Sequence, residues 1–113
     1  MDERTNKIIR EFTKDVKEIL GDSLKQIILY GSYARGQESL DSDIDVMILA
    51  DTGGSGVKFR EVRNSIIIRS VDLSIQYDTD ISPVVTDINQ FKAWENALPF
   101  YRNIKREGVI LDV

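Results

Sequence analysis

The amino-acid sequence predicts a small α+β domain in which helices flank a sheet. Three observations carry this reading. An apolar stripe at helical spacing runs through residues 2–20, and two short apolar runs, 25–30 and 43–49, are separated by turn-forming and polar residues. A second long helix-compatible segment, 57–80, then leads into another short apolar run. At 113 residues the chain accommodates one core, and residues 1–113 are read as a single domain.

The elements follow in chain order. Ile8, Ile9, Phe12, Val16, Ile19 and Leu20 recur every three or four positions with charges between them, which predicts an amphipathic helix over Asp2 to Leu20, ended near Gly21 and laid on one face of the sheet. Lys25 to Tyr30 is β-branched and aromatic and predicts a buried strand stopped at Gly31. Ser32 to about Gly36 reads as a short helical turn, Gln37 to Ser42 as a polar loop, and Asp43 to Leu49 as a second strand. The cluster Gly53-Gly54-Ser55-Gly56 lacks the Gly-Lys-Ser or Gly-Lys-Thr of a phosphate loop, so a surface connection is the preferred reading.

Residues 57–80 support two readings. Phe59, Val62, Ile66, Leu73 and Tyr77 fit one face of a long helix, whereas Val71, Leu73, Ile75 and Tyr77 alternate as a strand would. The helix is preferred, because Ile81 to Val85 then serves as the third strand, with Pro83 placing it at an edge or bulge. Asp87 is a candidate N-cap for a helix carrying Ile88, Phe91, Trp94 and Leu98. Pro99 opens a last helix with Phe100, Tyr101 and Ile104, stopped by Gly108 and followed by an extended Val109 to Leu111. These aromatics are read as core, with a nucleobase pocket as the competing reading.

Composition narrows the chemistry. The chain is 42% apolar and 30% charged, and no apolar run approaches the roughly 20 residues needed to span a bilayer. It has no cysteine and no histidine, which removes thiol nucleophiles, serine-histidine triads and imidazole or thiolate zinc sites. The lack of cysteine and of a secretory-type leader is compatible with a reducing cytosol, so a cytoplasmic location is expected. A net charge of −4 argues against nucleic acid as the main substrate.

What remains for catalysis is carboxylates, hydroxyls, Lys, Arg or a metal, and the stretch Gln26 to Leu49 concentrates them. Gly31 lacks a Cβ and admits a ligand close to the backbone, while Ser32 stands at a helix start, where N–H groups favour phosphate. Asp43 and Asp45, two apart on a strand, share a face. Paired carboxylates repel one another, an arrangement that makes sense mainly around a divalent cation. Magnesium suits it, taking one or two carboxylates plus substrate phosphate oxygens.

Gly31-Ser32, ten intervening residues and Asp43-Ile44-Asp45, with Arg35-Gly36 after the turn and Ser42 leading into the acidic pair, resemble the minimal, MNT-type nucleotidyltransferases of the DNA polymerase beta superfamily. Phe100 to Val109 also resembles the closing helix of these proteins, so the resemblance spans nearly the whole chain. It implies a polymerase-beta-like fold, a mixed β-sheet flanked by helices, with a nucleoside triphosphate such as ATP held by Gly31 and Ser32 and Mg2+ by Asp43 and Asp45. Arg35 would help neutralise phosphate. The implied reaction is AMP transfer from ATP to a hydroxyl on a protein partner, typically a helical HEPN-type toxin, which would make the chain an antitoxin. The chain has no room for a separate acceptor-binding domain. A nucleotide- and partner-binding module with weak or no catalysis, an aminoglycoside-like small-molecule transferase, and a homo-oligomer stay open. The superfamily commonly adds a third carboxylate on the next strand. Here Ser82 falls near that position, Asp80 lies at the strand's start, and Asp72 is a candidate only if its segment is a strand.

Overall fold

The computed structural model describes residues 2–39 and 42–111. The expected loop 37–42 is therefore described except for its residues 40 and 41, which lie outside that range. Helix α1 runs Glu3–Leu20, with the Asp2 carboxylate accepting from the Thr5 N–H at 2.7 Å. A 3-10 turn, Gly21–Ser23, leads into strand β1, Leu24–Tyr30, and after Gly31 comes the short helix α2, Ser32–Arg35. Strand β2 is Ile44–Ala50, helix α3 Gly56–Tyr77 and strand β3 Ile81–Asp87. Helices α4, Ile88–Trp94, and α5, Pro99–Glu107, precede the short strand β4, Val109–Leu111.

The strands form one mixed sheet in the order β3-β2-β1-β4. β1 pairs antiparallel with β2 and with β4, and β2 pairs parallel with β3 through the α3 crossover. Period-two alternation divides the core between the two faces. Ile27 and Leu29 of β1 and Ile44, Val46, Ile48 and Ala50 of β2 pack with Ile8, Phe12 and Val16 of α1 and with Ile66 and Leu73 of α3. Ile28, Met47 and Leu49 on the other face pack with Phe91 of α4 and with Tyr101 and Ile104 of α5. β2 is buried on both sides, and this explains its nearly unbroken apolar run. Position 45 interrupts the run with a carboxylate on the α4/α5 side.

Pro83 does sit on an edge strand, since among the described residues β3 pairs with β2 alone. The long segment is a helix, capped by the Ser55 hydroxyl accepting from the Lys58 N–H at 3.1 Å, and Asp72 lies on its exposed side. Three expectations need correction. β2 begins at Ile44, so Asp43 lies just ahead of the strand. α4 stops at Trp94 instead of reaching Leu98, because three turn residues and the N-cap of α5 occupy 95–98. Phe91 and Tyr101 are core as read, but Trp94 and Phe100 are about half exposed, at 52% and 45%.

Candidate functional site

The chain reverses at Gly31, between β1 and α2, in a conformation of φ 74° and ψ −151° that is essentially restricted to glycine. Gly31 takes the N-cap position of α2 and Ser32 becomes its first helical residue. Among the described residues no side chain accepts from the N–H groups of that first turn, while Arg35 N–H bonds back to the Gly31 carbonyl at 3.2 Å. Gly31 carries a second constraint: a Cβ at this position would collide with Asp45 Oδ2 and come within 3.3 Å of its Cγ. The β1–β2 register produces this contact, because Tyr30 stands opposite Asp45.

Asp45 is half-buried. Burial first, and the neighbouring Asp43 second, push its carboxyl above the ordinary aspartate value, while the Arg35 guanidinium pulls the other way. Tyr30 is raised for related reasons, burial and then the Asp45 charge. Asp43 is exposed at the mouth of the same edge. The loop before it is closed by Ser39 and Ser42, with the Ser39 N–H donating to Ser42 Oγ at 2.8 Å and the Ser42 N–H to the Ser39 carbonyl at 3.1 Å. Ile44 N–H donates to the Asp80 carbonyl at 2.8 Å, fixing the start of β2 against the start of β3.

Gly31, Ser32, Arg35, Asp43 and Asp45 thus meet at one end of the sheet, but Arg35 is not directed freely at that end. Its Nε donates to Gln37 Oε1 at 3.1 Å, and its Nη1 stands 3.7 Å from Glu107 Oε2 at the end of α5. Beside it a cavity of about 240 Å³ is lined by Tyr30, Gly31, Arg35, Phe100, Asn103 and Glu107. Tyr30 and Phe100 meet there edge to face, centroids 5.6 Å apart. Of the α5 residues in this wall, Phe100 carried the nucleobase-pocket reading as its alternative, whereas Asn103 and Glu107 gave no signal in the sequence; Ile104, marked as core by helical spacing, lines the cavity beside them.

No third carboxylate joins the pair from β3. Ser82 is the parallel-register neighbour of Asp45, Asp80 is exposed just ahead of the strand, and Asp72 is on the outer side of α3. The Gly53-Gly54 turn lies at the far end of β2 and borders a separate cavity with Thr52, Ser55, Thr86 and Asp87.

Comparison with known proteins gives this arrangement its relatives. The nucleotidyltransferase domain family matches residues 9–111. Two relatives from Methanocaldococcus jannaschii, named as protein adenylyltransferases, are similar to the chain. MJ0141 is 41% identical over 69% of this chain and 75% of its own length, and MJ0604 is 34% identical over 93% and 95%. Among solved structures, a minimal nucleotidyltransferase superposes with a TM-score of 0.57 at 20% identity, covering 98% of this chain and 97% of its own. A toxin-antitoxin crystal structure with AMP-PNP superposes with a TM-score of 0.54 at 20% identity, covering 88% and 69%. These two show a shared fold. The chain belongs to the nucleotidyltransferase domain family and is a transferase of that kind.

Proposed function

We propose that the protein transfers AMP from ATP to a hydroxyl on a partner protein, and that the partner is a helical, HEPN-type toxin silenced by the modification in the cytoplasm. The observation that supports this most is the convergence of Asp43 and Asp45 on the Gly31-Ser32 turn, in a chain whose relatives carry the name protein adenylyltransferase. The toxin-antitoxin neighbour with AMP-PNP supports both the nucleotide and the class of partner.

The donor set fits magnesium. Among the described residues no group of three or more Asp, Glu, His or Cys gathers, but Mg2+ requires only one or two carboxylates, completed by water and phosphate oxygens. Asp43 and Asp45 would hold it, and it would supply charge neutralisation at the attacking and leaving oxygens. The residues of the chain do the rest. The backbone at Gly31 and the Ser32 hydroxyl receive the β- and γ-phosphates, which approach closely because Gly31 has no side chain. Arg35 turns from Glu107 towards the phosphates. The acceptor oxygen then bonds to the α-phosphorus, the bond from that phosphorus to the β-bridging oxygen breaks, pyrophosphate departs and the acceptor proton passes to water.

A second reading, nucleotide and partner binding with weak turnover, is favoured by one feature: Ser82 stands in register with Asp45 where a third carboxylate would assist the acceptor. Incubation with labelled ATP, magnesium and a helical toxin partner separates the two. Label on the partner, absent with Asp43→Asn/Asp45→Asn, supports transfer; tight association without label supports the module and overturns transfer.

A further inference from the structure

Helices α1 and α3 pack over β1, β2 and β3 but leave the edge strand β4 open on their side of the sheet. Val109 stands opposite Leu29 and Leu111 opposite Ile27, so both face the α1 side, and Val109 is 45% exposed. Between α1 and β4 lies a groove of about 420 Å³. Ile9, Thr13 and Leu111 line it, and exposed Arg10, Lys14 and Lys17 form its outer rim. A groove alongside a helix, with one place in the layer unfilled, has the shape that a further helix packs into.

The charge of the rim indicates what fills the groove. Among the described residues Arg10, Lys14 and Lys17 make no ion pair within the chain, although the chain as a whole is acidic, at −4. The acidic residues of α1 stand elsewhere. Glu11 and Asp15 turn towards α3, where both pair with Arg69. Glu3 lies about two turns before Arg10, and Glu18 is on the far side of Lys14 from Ile9; even with Glu18 set against Lys14 the rim is net positive. The three cations follow one another at intervals of four and three residues, the spacing at which acidic side chains line one side of a facing helix. A polynucleotide fits poorly, because the groove has no aromatic side chain on which a base could stack. A bilayer fits poorly too, because Ile9 and Thr13 are buried and do not project.

We propose that the α1/β4 groove seats an acidic amphipathic helix of a partner protein, laid alongside α1 over β4. Its apolar side chains enter between Ile9, Thr13 and Leu111, and its Asp or Glu side chains meet Arg10, Lys14 and Lys17. The inference is independent of the nucleotide site, since Asp45 points to the opposite face of the sheet, with Met47 and Leu49. The probe is a fluorescent, hydrocarbon-stapled peptide of about five helical turns, with leucine along one face and glutamate on both sides of it; the staple keeps so short a helix formed. In anisotropy titrations the full chain binds this peptide, and added salt weakens the binding. Arg10→Gln/Lys14→Gln/Lys17→Gln, all on exposed positions, weakens it about tenfold or more with an unchanged circular dichroism spectrum, because three charge pairs are lost together. The magnesium-dependent ATP response is read in the same samples, so failure of one site is not mistaken for failure of the other. Peptides with lysine in place of glutamate, or glutamine in place of leucine, do not bind. Absence of binding by the acidic peptide overturns the proposal, as does equal binding by the triple variant or by the lysine peptide. Binding that appears only once residues 112 and 113 are removed overturns it, since the chain's own end then fills the groove. So does a rim that holds a single-stranded oligonucleotide or phosphatidylserine vesicles and not the peptide.

Discussion

Gly31→Ala tests the link between the turn and the acidic pair. The substitution meets two obstacles. At φ 74° and ψ −151° an alanine is in a region costing about 1–3 kcal/mol, and its Cβ collides with Asp45 Oδ2. The clash cannot be relieved by β1 alone, because Tyr30 is paired with Asp45 and the strands on both sides of β2 are hydrogen-bonded to it. The carboxylate must rotate away from the turn. Gly53→Ala is the matched control: φ is 66°, nothing lies within 4 Å of its Cβ, and the position is at the other end of the sheet. It carries only left-handed strain of roughly 1–2 kcal/mol. Thermal unfolding followed with and without magnesium and ATP separates strain from site geometry. Both variants lose several degrees, at about 4–8 °C per kcal/mol for a domain near this size. The ligand-dependent rise in melting temperature survives in Gly53→Ala and disappears in Gly31→Ala. A Gly31→Ala protein that keeps the full ligand response refutes the reasoning.

Other outcomes follow from the same geometry. Asp45 has a carboxyl raised above its ordinary 3.8, so its protonated form favours the folded state; that contribution is complete below the unfolded value and is lost as pH rises through the folded value. Asp45→Asn therefore melts higher than the parent at pH 7 without metal, and the gap closes below about pH 4 in a melting series across pH. Ser82→Asp places a third carboxylate in register with Asp45; it lowers the metal-free melting temperature and tightens magnesium binding, by roughly tenfold or about 1.4 kcal/mol in calorimetry. Glu107→Gln releases Arg35 from a half-exposed ion pair, so stability changes by less than about 1 kcal/mol in denaturant titration while ATP binds more tightly. Leu73→Ala, at a fully buried position between α3 and the sheet, costs about 2–5 kcal/mol in the same titration.

The elements were legible where burial is confined to one face of a helix or is complete on both faces of a strand. α1 alternates charge and bulk at helical spacing because one side meets the sheet, and β1 and β2 stand out because both of their faces are covered. α3 was ambiguous for a physical reason: its apolar residues occupy two sides, so its periodicity is blurred. The boundary that decided it was Ile81, the first residue of a strand that needs a crossover to lie parallel to β2. At the site, residue types and spacing were visible, whereas the contact of Gly31 with Asp45 depends on the β1–β2 register and the hold of Glu107 on Arg35 depends on the docking of α5. Neither is encoded locally. Asp43 falling ahead of the strand likewise reflects where pairing with β3 begins.

The central claim is that Asp43 and Asp45 bind ATP through magnesium at the Gly31-Ser32 turn. Isothermal titration of ATP into the protein at saturating magnesium and in its absence tests it directly, with the Asp43→Asn/Asp45→Asn variant beside the parent. The account predicts magnesium-dependent ATP binding by the parent and none by the variant, whose fold is retained. Equal ATP affinity in the two proteins, or affinity indifferent to magnesium, contradicts it.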